Sequence, residues 1–598
     1  MKVKGTPASL PTSEAPTEAN ASANAAAKIA PKRAATPSPK AQKALGAERA
    51  LKKEAPIEGS ATSAVRVRAS EAPRTKFSSS PEQLSLLLSS EVESAFQFAG
   101  SLKTAFTFFG GARIEKSDPF FEKGKEWGEA VLLLNAEGVK PGVVQAATAS
   151  GLFSPRAIEA AKAAAIGVLA GSYGAKELGQ ALSMRGGSGA EALSAAAADL
   201  ALREGRPEDA KLLLTLTRTG AGPGMMEAVP LGYVDARTKA AKLVPELAKA
   251  ETLTTQGSRI QLPFEQETSP YIEQLREFVH FLPRRLALTE QAAGFVVFPG
   301  GFGTLNELFE VWREGRGTVL DGASFWSGFV DALKSQWTKR GMVSETEQAK
   351  AIVVDSIADG LAHLVETAPT GTQTPAQLAA RAHVMVKEIQ SGLEALRDLP
   401  PAVSVLGGRQ LQESDAEIAI VKDAASRLTR SGIPMRIGGP GAMLEAVAEG
   451  VRKANAKMPI QAFLLESDGV DLEASVTGKA DIAHVVHGAP AHKVLMYENT
   501  EAFVALPGGI GTMDEVFEIA CLMQTGKIPV RPLVLVGSEF WQPILDAIEK
   551  SMFSGERKTI GENDMKLFTV TDDPTEVARL IRKQRSERES NSVKEAKS

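Results

Sequence analysis

Cysteine is nearly absent: Cys521 is the only one in 598 residues. An internal disulfide is thereby excluded, as is any zinc site built on paired thiolates. No uninterrupted apolar run reaches the roughly 18 residues that a membrane-spanning helix needs. The opening stretch, MKVKGTPASLPTSEAP, lacks the apolar segment of about 7–15 residues that marks a secretory signal. Cytoplasm is the expected compartment, and no membrane association is expected. Charge of one sign is also missing, since the net value is −4, so bulk charge does not point to nucleic acid.

What is present suits a soluble globular chain. Hydrophobic residues make up 43%, and the length is too great for one core, which suggests about two to four domains. Residues 1–80 stand apart. They carry 14 Lys and Arg against 6 Asp and Glu, are rich in Ala, Pro and Ser, and have few large apolar side chains. Such a stretch buries too little surface to offset its ordering entropy and is expected to be a disordered, solvated tail.

The most informative stretch is GFVVFPGGFGTLNELFE, from Gly294 to Glu310. An apolar run, Phe295 to Phe298, reads as a buried parallel strand. It ends in Pro299-Gly300-Gly301-Phe302-Gly303, and Thr304 is expected to open a helix. A strand, a glycine turn and a helix N-terminus together form a phosphate cradle: glycines admit close backbone approach, and free N–H groups with the helix dipole favour the anion. The design recurs in AFVALPGGIGTMDEVFE, from Ala502 to Glu518, and Pro299 and Pro507 lie 208 residues apart. The chain reads as a tandem duplication. A purely structural alternative exists: Thr304-x-x-Glu307 and Thr512-x-x-Glu515 both fit a helix capping box.

Each PGG turn has glycine clusters upstream. In the first unit a helix near Pro81 to Phe98 precedes strand Thr104 to Phe109, which runs into Gly110-Gly111-Ala112-Arg113. Strand Leu212 to Thr217 runs into Thr219-Gly220-Ala221-Gly222-Pro223-Gly224-Met225-Met226-Glu227. Arg284 and Arg285 fall on or just before the helix ahead of the central strand, where a solvated pair is the plain reading. In the second unit Gly407-Gly408-Arg409 and Gly438-Gly439-Pro440-Gly441 lie upstream of the turn Gly508-Gly509-Ile510-Gly511. None has the G-x-G-x-x-G spacing of a dinucleotide fingerprint. The pattern predicts an α/β fold, with two tandem Rossmann-like, doubly wound parallel sheets. The expected divisions are a tail over 1–80, a first domain over 81–367 with a helical insertion at about 140–205, a linker with a helix over 368–395, a second domain over 396–582, and a frayed charged tail over 583–598.

These motifs resemble the LOG (Lonely Guy) proteins, once labelled lysine decarboxylases. FGGARIEKSDPFF, TGAGPGMMEAV, LPFEQETSPYI, RR and PGGFGTLNELFE in the first unit are similar to the longer bacterial type. GGPGAMLEAV, HK, PGGIGTMDEVFE and MQTGK carry the likeness in the second. The resemblance covers most of residues 100–365 and 400–580. It implies hydrolysis of the N-glycosidic bond of a nucleoside 5′-monophosphate, giving free base and ribose 5-phosphate, with no cofactor and no metal. Relatives are usually dimers with sites near the subunit interface. This implies an intramolecular pseudo-dimer of the two units and leaves further self-association open; no specific nucleic acid partner is implied.

By the same resemblance, Arg284 and Glu307 are the catalytic residues. Gly110, Gly111, Gly220, Gly222, Gly224, Met225, Glu227, Arg285, Gly300, Gly301, Gly303 and Thr304 bind substrate. The second constellation comprises Gly438, Gly439, Gly441, His492, Lys493, Gly508, Gly509, Gly511, Thr512 and Glu515. It departs from the pattern. Fifteen residues before Pro507 stands His492, where the first unit has Arg284, and its glycine loop is one residue longer. The first unit departs too: Ala221 replaces a glycine, and Glu314-Gly315-Arg316-Gly317 stands where relatives carry a Gln-Thr-Gly segment. The alternative reading is therefore a nucleotide- or cofactor-binding protein without turnover. Nothing supports a pyridoxal phosphate site.

Overall fold

The computed structural model describes residues 81–140, 142–165, 216–250, 253–262, 267–369, 371–466, 471 and 475–595. The expected tail over 1–80, most of the expected insertion and Pro263 to Glu265 lie outside them. Within 142–165 the chain forms helix Val143–Ser150 and a second helix over 155–165, whose Ala157, Ala160, Ala161 and Ala164 are fully buried.

Two seven-stranded sheets, all parallel, carry the fold. The first contains β1 (Ala105–Phe109), β2 (Leu216–Thr219), β3 (Thr255–Ile260), β4 (Gln274–Phe278), β5 (Ala292–Val297), β6 (Thr318–Asp321) and β7 (Ala351–Val354) in the spatial order β4-β3-β2-β1-β5-β6-β7. The second contains β8 (Ala402–Leu406), β9 (Met435–Ile437), β10 (Ile460–Leu465), β11 (Ile482–Val486), β12 (Thr500–Ala505), β13 (Leu533–Leu535) and β14 (Phe568–Val570). Its order, β11-β10-β9-β8-β12-β13-β14, is the same. Each chain path leaves its first strand in one direction and returns in the other. The crevice thus falls between β1 and β5, and between β8 and β12, at the strands' carboxyl ends. The two central strands are buried at every position, as strands covered on both faces must be.

The helices include α1 (Pro81–Ser101), α2 (Pro119–Val139), α3 (Met225–Leu243), α4 (Phe281–Thr289), α5 (Phe302–Arg313), α6 (Ala323–Arg340) and α7 (Ile357–Thr367) in the first unit. In the second they include α8 (Pro375–Arg397), α9 (Ala416–Arg430), α10 (Ala442–Ala454), α11 (Ala489–Tyr497), α12 (Ile510–Gln524), α13 (Ser538–Ile548) and α14 (Pro574–Glu595). Helices α1 and α8 pack together, as do α5 and α12. One apolar core runs through both sheets, and a second fills the α2–α3–α7 side of the first. Among the described residues no helix is long and apolar enough to cross a membrane.

Several local expectations are corrected. Helix α5 begins at Phe302, not Thr304, and its N-cap is Gly301 with no side-chain cap bond; α12 likewise begins at Ile510 on Gly509. The capping-box alternative fails at both turns. Residues 583–595 are helical rather than frayed, because Arg585 pairs with Glu589 and Gln584 Nε2 donates to Val530 O. Helix α8 belongs to the packed body, since it packs against α1 and α11 and meets β11. Strands β3, β4, β6, β11 and β14 were not anticipated. β3 reads TQGSRI, yet Gln256 and Ser258 are fully buried. Gln256 is matched there by Arg218 Nε at 3.0 Å and by Lys103 O at 3.2 Å.

Candidate functional site

Three turns meet at the carboxyl ends of β1, β2 and β5. Gly111 N donates to Pro299 O at 2.9 Å, and Met225 N donates to Gly111 O at 3.2 Å. The β1 turn is thus tied to both neighbours through its own peptide groups. Gly224 adopts φ +68° with its α-carbon against Gly111 O, where a Cβ would fall 2.4 Å from that oxygen. Only glycine allows both the backbone angle and the approach. A Cβ on Gly300 would lie 2.1 Å from Thr304 Oγ1, so the hydroxyl folds back over the PGG turn. Gly110 packs on Met225, which is itself buried. Glu227 stands at the rim and pairs with Lys116 at 3.0 Å.

Arg284 and Glu307 form a buried ion pair beside these turns, from α4 and α5 respectively. The Arg284 guanidinium also donates through Nε to Ser258 O at 3.2 Å. Its remaining nitrogen lies against Gly220, where a Cβ would be 2.2 Å away. A cation and a carboxylate are therefore held side by side, the cation lying against Gly220. Burial pushes the Glu307 carboxyl above its ordinary range, against the pull of Arg284.

The second unit repeats the frame with different chemistry. Gly408 N donates to Pro507 O at 2.9 Å, and Thr512 folds over Gly508 as Thr304 does over Gly300. His492 takes the place of Arg284 and lies on Gly438 as Arg284 lies on Gly220. Its Nε2 approaches Gly438 O at 2.9 Å and Phe463 O at 3.0 Å; two carbonyl neighbours put the hydrogen on that nitrogen. Nδ1 faces Glu515 at 3.2 Å. The longer glycine loop is looser: Gly439 and Gly441 face open space, whereas Gly222 and Gly224 are buried.

Comparison with known proteins bears on this architecture. The family described as "Possible lysine decarboxylase" matches residues 226–364 and 444–581, once in each unit. The chain is similar to this family in both of its units. It is similar to the "Cytokinin riboside 5'-monophosphate phosphoribohydrolase" of Rhodococcoides fascians, 41% identical over 73 residues, which is 12% of this chain and 36% of the relative. It is also similar to the protein of that name in Mycobacterium marinum, 36% identical over 85 residues, 13% of this chain and 45% of the relative. A rice relative, "Cytokinin riboside 5'-monophosphate phosphoribohydrolase LOG", is 30% identical over 156 residues, 25% of this chain and 58% of its own length. The chain thus spans between about a third and three-fifths of these curated relatives.

Four residues expected in the family site point elsewhere. Gly303 and Gly511 lie where α5 and α12 cross, against Cys521 and Arg313, and serve helix approach. Arg285 and Lys493 are not solvated and do not face the glycine turns. Both are buried between α5 and α12. Arg285 reaches Glu518 and Glu310, each at 2.7 Å, and Asn306 Oδ1 at 2.6 Å. Lys493 Nζ lies among Glu310 at 3.1 Å, Asp514 at 2.8 Å and Glu518 at 2.8 Å. The reason is helical: consecutive residues on α4 or α11 project about 100° apart, so only one of each pair can face the turns. The three carboxylates stand close enough together to share one cation, and the lysine ammonium occupies that position. Burial works against its charge, but Asp514, Glu310 and Glu518 outweigh it and hold the ammonium above its ordinary range.

Two contributions escaped sequence reasoning. Glu310 and Glu518 sit at the same offset from their PGG turns, and this repetition was a usable signal. Lys527, in the MQTGK segment of the second unit, donates to Gln261 O at 2.6 Å and Val279 O at 2.7 Å in the first. Burial pushes that lysine down to about 8.

Proposed function

We propose that the first unit hydrolyses the N-glycosidic bond of nucleoside 5′-monophosphates. The single observation that carries this is the buried Arg284–Glu307 pair, its guanidinium lying against Gly220 of the β2 glycine turn. The 5′-phosphate binds over the PGG turn at the N-terminus of α5, where free backbone N–H groups and the helix dipole favour an anion. Glu307 then lies beside the ribose and takes a proton from the attacking water. The C1′–N bond breaks with its electron pair leaving on the base, and the water oxygen adds to C1′ through an oxocarbenium-like transition state. Arg284 offsets the charge that develops as the base departs.

The second unit binds a nucleotide without comparable turnover, because His492 lacks the fixed bidentate cation of Arg284. The two units serve each other as the halves of a dimer do. Supporting this, Trp337 Nε1 of α6 donates to Gly508 O of the second PGG turn at 3.1 Å. Reciprocally, Thr559 of the second unit lies against Gly301 of the first.

The test is incubation with AMP, GMP, CMP and UMP, following free base. Wild type should release base, and Glu307→Gln should lose about 100-fold or more in kcat, as for removal of a general base. A folded wild type that cleaves none of the four would overturn the hydrolytic reading. Retention of turnover in Glu307→Gln would overturn the role of the carboxylate.

A further inference from the structure

The charge cluster between α5 and α12 touches the machinery of the first unit at two points. Arg285 follows Arg284 on α4, and Glu310 lies one helical turn beyond Glu307 on α5. Arg285 also holds Asn306, the residue before Glu307, at 2.6 Å. The far side of the cluster belongs to the second unit: Glu518 takes the second edge of Arg285, and Lys493 takes Glu310. Arg313 closes it through Asp514 at 2.8 Å. Three cations, Arg285, Lys493 and Arg313, thus face three anions, Glu310, Asp514 and Glu518. The cluster is neutral as a whole and nearly all of it is buried.

We infer that Glu518 and Lys493 of the second unit are positioning residues for the Arg284–Glu307 pair of the first. They fix the orientation of α4 against α5 and hold a neutral field behind Glu307. The inference rests on the hydrolytic reading of the first unit. It gives the second unit an obligatory part in that site, whether or not it turns substrate over. The charged and titratable groups facing Glu307 are Arg284 and Arg285 of α4, Glu310 of its own helix and Cys521 of α12.

Charge balance makes the test directional. Glu518→Gln leaves the cluster one unit positive, which favours an ionised Glu307. The acid limb of the kcat/KM profile should then move to lower pH, by at least about half a unit. Lys493→Met leaves it one unit negative, and the limb should move to higher pH by a similar amount. In both variants kcat should fall about tenfold with KM nearly unchanged, as expected when geometry rather than binding is disturbed. Lys566→Gln, which removes an exposed charge from the same unit, should leave the limb in place.

Should either buried variant fail to fold, Arg313→Gln removes a cation from the more exposed edge of the cluster and should raise the limb. Titration of the Glu307 carboxyl by carbon NMR, assigned by its loss in Glu307→Gln, gives the same readout without turnover. Opposite movements in the two variants support the inference. Unmoved limbs, or movement in one common direction, overturn it while wild-type hydrolysis stands. Absence of wild-type hydrolysis overturns the hydrolytic reading instead, and the NMR titration still decides the positioning.

Discussion

Glu307 sits where burial and a guanidinium pull its carboxyl in opposite directions. Burial prevails, and the group titrates above the ordinary carboxylate range. The consequence for stability has a definite sign. Between its unfolded value and the raised folded value, the folded chain binds the proton more tightly than the unfolded one. The contribution of Glu307 is therefore fully present below its unfolded value and declines as pH rises through the folded one. The stability of wild type minus that of Glu307→Gln should accordingly fall with rising pH across this window. Urea denaturation of both proteins at a series of pH values checks it; a difference that grows with pH would contradict the burial argument. The same single-residue logic separates the two units. Arg284 and His492 occupy one position on one frame, both resting on the first glycine of the loop. The guanidinium retains a nitrogen toward the glycine turns, whereas the imidazole has both of its nitrogens engaged.

At the scale of elements, helices α2 and α3 approach so closely that glycine backbone replaces side chains at the contact. A Cβ on Gly128 would fall 2.1 Å from Val229 O, and one on Gly232 would fall 2.1 Å from Lys125 O. Gly128→Ala should thus force the helices apart and cost about 1–3 kcal/mol, as overpacking of a close contact does. Chemical denaturation reads the loss, and an unchanged midpoint would mean that α3 shifts freely. Since α3 leads out of the β2 glycine turn, the site in the first unit should loosen with it. Elements of this kind differ in how plainly the chain announces them. The PGG turns could be read because an apolar strand, glycines and an amphipathic helix follow one another within a few residues. So could the strands at the centre of each sheet, with runs such as FVVF and AFVAL. Strand β3 could not, because its buried Gln256 is satisfied by Arg218 and by the distant backbone of Lys103, which no local pattern reveals. The side chains of Arg285 and Lys493 were misread for a related reason. Their partners, Glu518 and Glu310, lie 233 and 183 residues away. Adjacent charged residues look alike in sequence until the second unit supplies the surface against which one of them is buried.

For the molecule as a whole, the contact between the units is core rather than surface. Phe309 of α5 stacks on Phe517 of α12 with ring centroids 5.3 Å apart, and Phe302 meets Phe568 at 5.4 Å. These rings belong to a single apolar cluster that extends from α1 and α4 through the second sheet to α14. Separation of the units would expose that face and would part Arg285 from Glu518 and Lys493 from Glu310. Neither unit should therefore melt without the other. Calorimetry of the full chain is expected to show one transition that includes both sheets. Phe309→Ala, which empties a fully buried position at the seam, should lower that transition as a whole, at a cost of about 3–5 kcal/mol. Two resolved transitions in the wild type, or a variant in which only the first unit is weakened, would show that the seam carries less of the stability than its burial implies.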